Sequence, residues 1–360
     1  MQIHHFLVAH VAHRFPALQD DLRKTIKALR DQLQHLVVSI EGFGLTQETR
    51  EKAVAYINSL LYLDDETWKK QYELLYAEDP WATLVIQEVR NQMENFQSVR
   101  LNLIGPNDNS QQSYVLKEEE VNRREISLRT AMVKDIDLKH HKQEIINNLK
   151  ETIEKIAKVM QISNKAMIEQ LQSLASTSSN NTLNIAITGA NHIGVSHEVK
   201  TTKHVIYLPE LFLDMLPNIP FDFYNSNFID RLVIKKSAGR EITELDLKRS
   251  FLSYMLTQYL SQGRKRYKGN FPQDKLFLDS PEVISLLSSA WILRTDKEKI
   301  NELFDKCFEL RPNSEDRPVY YLGLYTIGDL LEAEVMPHNE PSELADLLYL
   351  MFNKLTAQFK

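Results

Sequence analysis

The densest group of acid–base and metal-ligating side chains lies just after a predicted strand near the middle of the chain. It contains His192, His197, Glu198 and His204. Imidazole and carboxylate groups bind zinc, and three protein ligands leave a fourth position for water. The group indicates a metal-dependent hydrolase in which the three histidines hold zinc and Glu198 acts as general base or ligand. Its spacing matches no ordinary zinc motif, so a polar loop with unrelated histidines is the alternative interpretation.

Two glycines accompany the same group. Gly189 ends the predicted strand and Gly194 follows shortly after, but a full Gly-x-Gly-x-x-Gly is absent and no long helix clearly follows. The sequence also contains no Walker loop, no Gly-x-Ser-x-Gly elbow and no EF-hand loop. The common nucleotide and hydrolase motifs therefore indicate no function.

Two other sets of reactive side chains have a structural explanation. His4, His5, His10 and His13 lie in an apolar N-terminal segment, where we expect their rings to pack or to face water. Cys307 lies in a helical pattern without an assigned histidine partner. We expect this cysteine to be a small buried residue of a helix.

A short basic run is a further candidate for binding. Arg264, Lys265, Arg266 and Lys268 surround Tyr267 after a predicted helix. Such a run indicates contact with phosphate, RNA or an acidic protein, and a solvated charged loop is the alternative. No nucleic-acid-binding motif accompanies the run, so we do not expect nucleic acid to be the partner.

The segment from Ile206 to Leu216, with the capped helix after it, resembles the approach to the active-site helix of zincin metalloproteases. That family binds zinc through His-Glu-x-x-His. The corresponding helix here reads Ser-Tyr-Met-Leu-Thr from Ser253 to Thr257. Because the histidines and the glutamate base are missing, the resemblance implies no zincin activity.

The segment from Lys306 to Ser314 resembles the end of the second helix of a tetratricopeptide repeat, and Tyr320 to Gly323 resembles the start of the next repeat. The resemblance covers one helical hairpin, and no register repeats through the chain. It implies a concave helical face that could hold a peptide.

Composition excludes several classes of protein. Of the 360 residues, 43% are hydrophobic and 26% are charged, close to the soluble globular averages of roughly 45–50% and about 25%. The net charge of -6 implies no attraction of the whole chain to nucleic acid or anionic membranes. One cysteine excludes a disulfide framework and fits a reducing compartment. Without a secretory signal or roughly 18 consecutive apolar residues, a cytoplasmic protein without a membrane span is expected.

The N-terminal part of the chain has the pattern of a helical bundle. Glycine is scarce at 10 of 360 residues, which favours helices over the turns of sheets. Apolar residues spaced three and four apart predict a first helix from Leu18 to Ile40. Asp79 before Pro80 is typical of the start of a later helix. Residues 1–104 are therefore expected to form a bundle.

Residues 114–175 are predicted to form a long helical region. Part of it has a heptad pattern, at Ile146, Leu149, Ile153, Ile156 and Met160. This pattern makes self-association through residues 145–160 an open hypothesis. Polar Ser163 and Gln170 then fall on the seam, so a helix packed within a bundle is the preferred interpretation.

The one β-like region follows a polar break near residue 180. Leu183–Thr188, His204–Leu208 and Arg231–Lys235 have the β-branched alternation and length of strands. Residues 183–240 are therefore expected to be a small α+β segment, and residues 241–360 a C-terminal helical domain.

The fold class predicted from these patterns is mainly α, with multi-helix bundle domains and a small β-containing insertion around residues 183–236. The leading functional hypothesis is a cytosolic helical module that binds proteins or regulates them without chemistry of its own. A metal-dependent hydrolase, with zinc at the histidine-rich segment, is the second hypothesis. A translocated bacterial effector acting on host proteins is the third.

Overall fold

A computed structural model describes most of the chain, at residues 3–8, 15–42, 47–106, 138–189, 192, 194–206, 228–266 and 281–308. Contacts between Cα atoms divide the chain into two compact units. The sheet unit comprises Met1–Leu116 and Lys158–Leu208, and the helical unit comprises Lys117–Ala157 and Pro209–Lys360. Most of the described residues are helical.

The sheet unit contains five described strands, β1 (Ile3–Val8), β2 (His35–Glu41), β3 (Ser98–Ile104), β4 (Thr182–Gly189) and β5 (Thr201–Ile206). They form one sheet in the order β3-β2-β4-β1-β5, and every described pairing is parallel. Parallel neighbours need long crossover connections, which helices supply. The sheet unit is therefore an α/β structure.

In the described residues, four α-helices connect the first three strands: α1 (Phe15–Leu29), α2 (Gln47–Leu60), α3 (Asp65–Glu78) and α4 (Pro80–Gln92). Asp79 caps α4 as the sequence predicts, because its carboxylate accepts the amide hydrogen of Ala82 at 3.2 Å. The long helix α5 (Leu138–Thr177) belongs to the sheet unit from Lys158 onward, and the short helix α6 (Val195–Glu198) lies between β4 and β5.

The two faces of the sheet are different. On one face the strands bury a large apolar cluster with α1, α3 and α4, which includes Phe6, Leu36, Ile185, Leu22 and Val85. On the other face a smaller apolar cluster packs against α5 and α6, through Ile104, Ala186, Met167, Leu171 and Val195. Side chains alternate along a strand, so His5, Glu41 and Thr188 belong to this second face, where polar groups are buried.

The described part of the helical unit contains the first part of α5, with α7 (Phe228–Ser237), α8 (Glu244–Arg266), α9 (Pro281–Arg294) and α10 (Lys297–Lys306). Thr243 and Asp246 exchange side chain–backbone hydrogen bonds at the start of α8, in the arrangement of a capping box. Cys307 is buried, and burial raises its thiol pKa to about 12. Among the described helices, none combines the length and apolar character needed to cross a bilayer.

Two parts of the predicted secondary structure are wrong. Residues 1–104 contain β1, β2 and β3 as well as helices, so they are not a helical bundle. Leu36 and Ile40, assigned to the first helix, lie in β2. Arg231–Lys235, predicted as a strand, lies within α7, where Leu232, Val233 and Ile234 are all buried. Tertiary burial overrides a local β preference here.

Four of the five heptad residues of α5 are already buried within the single chain, and Ile156 is partly exposed. Ile146, Leu149, Ile153 and Met160 are each less than a tenth exposed. Self-association through residues 145–160 would therefore need these side chains to leave their present packing. The polar residue Gln170 on the same helix has a definite role, because both of its amide atoms bond to the backbone of Gly105.

Candidate functional site at the carboxyl edge of the sheet

The order of the strands marks one position at the edge of the sheet where ligands of α/β proteins bind. Strands β2 and β4 are neighbours, but the chain leaves β2 toward β3 on one side and leaves β4 toward β5 on the other. Such a change of direction opens a crevice beyond the carboxyl ends of the two strands. Glu41 is the last residue of β2, and Gly189 is the last residue of β4.

Glu41 is a buried acid at this position, with its side chain only 1% exposed. Its Oε2 atom accepts the backbone N–H of Gly189 at 2.5 Å. Its Oε1 atom lies 2.9 Å from Nε2 of His192. The hydrogen bond from Gly189 holds the carboxylate in one orientation, with Oε1 next to the imidazole of His192.

His192 is in contact with oxygen atoms on both sides of its ring. Its Nδ1 atom lies 2.6 Å from Oδ1 of Asn164 on α5, opposite the contact with Glu41. The contact with Glu41 is an ion pair only when the ring carries both protons. The arrangement therefore couples any proton transfer at His192 to the Glu41 carboxylate.

His5 forms a second set of buried side-chain contacts, next to that of Glu41 and His192. Its Nδ1 atom lies 2.6 Å from Oγ of Ser196, and its Nε2 atom lies 2.8 Å from Oγ1 of Thr188. The Thr188 hydroxyl donates its hydrogen to the carbonyl of Gly189 at 3.3 Å. It therefore accepts a hydrogen bond from Nε2 of His5, and the unprotonated Nδ1 atom of His5 accepts one from Ser196. Burial, reinforced by the nearby His192, lowers the pKa of His5 to about 3.

The two sets of contacts meet at Gly189, whose N–H donates to Glu41 and whose carbonyl accepts from Thr188. We call their six side chains the polar cluster, and its members are His5, Glu41, Asn164, Thr188, His192 and Ser196. The cluster gathers residues from β1, β2, α5, β4 and the connection to β5 at one place. This combination of a buried acid and an imidazole is suited to proton transfer.

The neighbouring end of β3 lies close to the end of β2 through two glycines. Gly105 has a positive φ of 143°, and a Cβ atom there would lie 2.7 Å from the carbonyl oxygen of Gly42. Glu41 pairs with Ile104, so Gly42 and Gly105 are at the same level of the sheet. Because Ile40 pairs with Ile187, Gly189 is level with them. Three adjacent strands thus end in a row of glycines.

Of the histidines expected to bind zinc, His192 and His204 contact different side chains. His204 on β5 stacks on Phe6 with ring centroids 4.3 Å apart, and its Nε2 atom lies 3.0 Å from Nδ1 of His4. Burial lowers the pKa of both His204 and His4. His192 instead lies in the polar cluster.

His197 and Glu198 lie on α6. Glu198, the expected general base, is exposed, and the side chain of His197 lies outside the described residues. In the described ranges, no three or more His, Cys, Asp or Glu side chains come close enough together to hold a metal ion.

The basic run begins within a helix. Arg264, Lys265 and Arg266 form the last turn of α8 rather than a loop after it. Their side chains, together with Lys268, lie outside the described residues. The expected contact of this run with an acidic partner therefore stays a prediction.

Sequence patterns missed most of the polar cluster. His5, Glu41 and Asn164 come from three separate segments, and only the parallel sheet brings them to His192. One signal was present in the sequence: Glu41 ends an apolar run that begins at Leu36 and is followed by a glycine. Comparisons of the chain with protein-family models, with curated proteins and with solved structures found no match.

Proposed function

We propose that the sheet unit is an enzyme that acts on a small molecule by general acid–base catalysis, with His192 as the proton-transferring group and Glu41 as its carboxylate partner. The reaction class that fits best is hydrolysis or group transfer. The supporting observation is the 2.9 Å approach of the Glu41 and His192 side chains at the crevice between β2 and β4. Buried acid–base pairs at such positions are a feature of active sites.

The other histidine contact of the cluster fits a structural role better. A hydroxyl next to an imidazole, as in Ser196 and His5, is the arrangement of an activated nucleophile. With a pKa of about 3, however, His5 is neutral and a weak base near pH 7. General bases work best when their pKa lies near the operating pH. We therefore infer that the contact between His5 and Ser196 holds α6 against β1.

The test is a screen of small molecules for turnover and for binding, with chromogenic esters and phosphate esters as first substrates. Loss of a general acid–base group reduces rates by roughly 100- to 10,000-fold, and we expect His192→Gln to have this effect. His35→Gln is the matched control, because His35 lies at the opposite end of β2 and contacts Ser98. Turnover that persists in His192→Gln would contradict the proposal.

The metal-dependent form of the hypothesis is tested on the same untagged proteins. Metal content by mass spectrometry, with His197→Ala beside His192→Gln, distinguishes the two mechanisms. Near-stoichiometric zinc that is lost in both variants would assign His192 to metal binding. Turnover by protein without metal would favour the pair of His192 and Glu41.

A second candidate function is the protein-binding role expected from the sequence. It is supported by exposed apolar side chains in the turn before α3 and on α3 itself: Tyr62 is 71% exposed and Leu74 is 64% exposed. Exposed apolar groups on a helix are suited to contact with a partner. Cross-linking from a photoreactive residue at position 74, with position 69 as a polar control, tests this role. Products formed equally from both positions would argue against it.

A further inference from the structure

Arg50, on the first turn of α2, is a buried cation whose hydrogen bonds go to backbone carbonyls. Its residue is 8% exposed, and its Nη2 atom donates to the carbonyl oxygens of Gly105 at 2.9 Å and Pro106 at 2.8 Å. Its Nε atom is buried and has no hydrogen-bond partner among the described residues. Within the described part of the chain, no acidic side chain forms an ion pair with it.

Two other arginines of the sheet unit, in contrast to Arg50, lie close to a carboxylate. Arg23 forms an ion pair with the buried carboxylate of Glu88 at 2.9 Å. Arg90 donates to three backbone carbonyls, as Arg50 donates to two, but it also lies 3.5 Å from Asp65 and over the ring of Trp68. Holding carbonyls therefore does not require an unpaired cation.

Burial makes an unpaired charge unfavourable, because the charged group loses its contacts with water. Burial lowers the pKa of Arg50, in the direction that this loss predicts. Arginine nevertheless stays charged in proteins. A buried guanidinium with an unused Nε–H is therefore stabilised when an anion binds to it.

The position of Arg50 suits a ligand at the carboxyl edge of the sheet. The Gly105 carbonyl that it contacts belongs to the row of glycines that ends β3, β2 and β4. These glycines have no side chains that would cover the backbone at this edge. Arg50 is also the fourth residue of α2 (Gln47–Leu60), near the positive end of that helix. The exposed acid Glu48 on the same turn is already paired with Lys52.

We propose that Arg50 forms an anion-binding site at this edge, and that the anion is a phosphate group on the substrate of the sheet unit. The substrate part of this inference rests on the proposed function, whereas the anion site does not. The two carbonyls hold Nη2 of the guanidinium, and the Nε–H is the donor left for an oxygen of the anion, which reaches this buried atom when the residues around it move apart. Arginine and a helix start are both common partners of phosphate.

Titration of the full chain with inorganic phosphate tests the site, with calorimetry for affinity and the ¹⁵N signal of the Arg50 side chain for location. We expect saturable binding and a shift of the Arg50 Nε–H signal. Arg50→Gln should weaken binding at least tenfold. Arg50→Lys keeps the charge and is the second variant, in case the glutamine variant does not fold. Arg90→Lys is the matched control and should bind phosphate as the wild type does.

The inference is overturned if phosphate does not bind the wild type, or if Arg50→Gln and Arg50→Lys both bind it as the wild type does. Competition between inorganic phosphate and p-nitrophenyl phosphate distinguishes a free ion from a phosphate ester as the preferred ligand. If phosphate binding depends on Arg50 but no turnover depends on His192, the anion site is supported and the proposed function is contradicted. Turnover of neutral esters that needs His192, without phosphate binding, would do the reverse.

Discussion

The Nδ1 atom of His5 and the Oγ atom of Ser196 lie 2.6 Å apart, although one residue is on the first strand and the other follows the fourth. The contact holds α6 against β1. Both residues are buried, and the second ring nitrogen of His5 is satisfied by Thr188. A histidine held in this way is part of the folded core only in its neutral form.

The first prediction is that His5 makes the sheet unit sensitive to acid. Its pKa falls from an ordinary 6.5 to about 3 on folding, so below pH 6.5 the unfolded chain binds a proton that the folded chain does not. Stability is therefore complete above pH 6.5 and decreases as the pH falls toward 3. Each pH unit in this window lowers the free energy of unfolding by about 1.4 kcal/mol. The total loss between pH 6.5 and pH 5 is therefore about 2 kcal/mol.

Urea unfolding at pH 7.5 and pH 5.0 measures this effect. His5→Gln should be less stable than the wild type at pH 7.5 but should lose about 2 kcal/mol less between the two pH values. Ser196→Ala is the control: it removes the hydrogen bond but leaves His5 buried, so its loss between the two pH values should equal that of the wild type. Equal losses in the wild type and His5→Gln would refute the prediction.

The second prediction concerns the free energy of interaction between Glu41 and His192. Buried polar groups in one network interact by roughly 0.5–3 kcal/mol, and we expect about 1–3 kcal/mol for this pair. A double-mutant cycle with Glu41→Gln and His192→Gln, followed by urea unfolding at pH 7, measures it. The exposed pair of Glu66 and Lys70, 2.9 Å apart on α3, should give no more than about 0.5 kcal/mol.

The third prediction is that Gly105 accepts no side chain. Alanine at this position would combine a positive φ with a 2.7 Å contact to the backbone of Gly42, and we expect a loss of about 2–4 kcal/mol. Gly239 is the control, because it also has a positive φ but nothing within 4 Å of an added Cβ. Hydrogen exchange followed by mass spectrometry should show lost protection in β2 and β3 for Gly105→Ala alone.

The fold was predictable where the local pattern had one interpretation. The helix α4, with its start at Asp79 and Pro80, and the strands β4 and β5 have the types that the local sequence indicates. The strand β2 was not predictable in this way. Leu33, Leu36 and Ile40 have helical spacing, whereas Leu36, Val38 and Ile40 alternate as in a strand. Strands of parallel sheets are buried on both faces, so the alternation that would identify them is weak.

The polar cluster was predictable only in part, for a related reason. His192 was recognised because several histidines lie near it in the sequence, but its actual neighbours are Glu41 and Asn164. These contacts depend on which strands are adjacent, and adjacency in a parallel sheet is not encoded by local spacing. His204 lies in the same sequence segment and yet contacts His4. Proximity in sequence was therefore a poor guide to the site.

The last prediction separates packing within the chain from self-association along α5. Ile153 is fully buried and Ile162 on the same helix is 46% exposed. Ile153→Ala should lower the free energy of unfolding by about 2–5 kcal/mol, whereas Ile162→Ala should change it by less than about 0.5 kcal/mol. If the heptad residues packed against a second copy of the chain, the unfolding midpoint of the wild type would rise with protein concentration. We expect a midpoint that does not change with concentration, because one chain already buries Ile153.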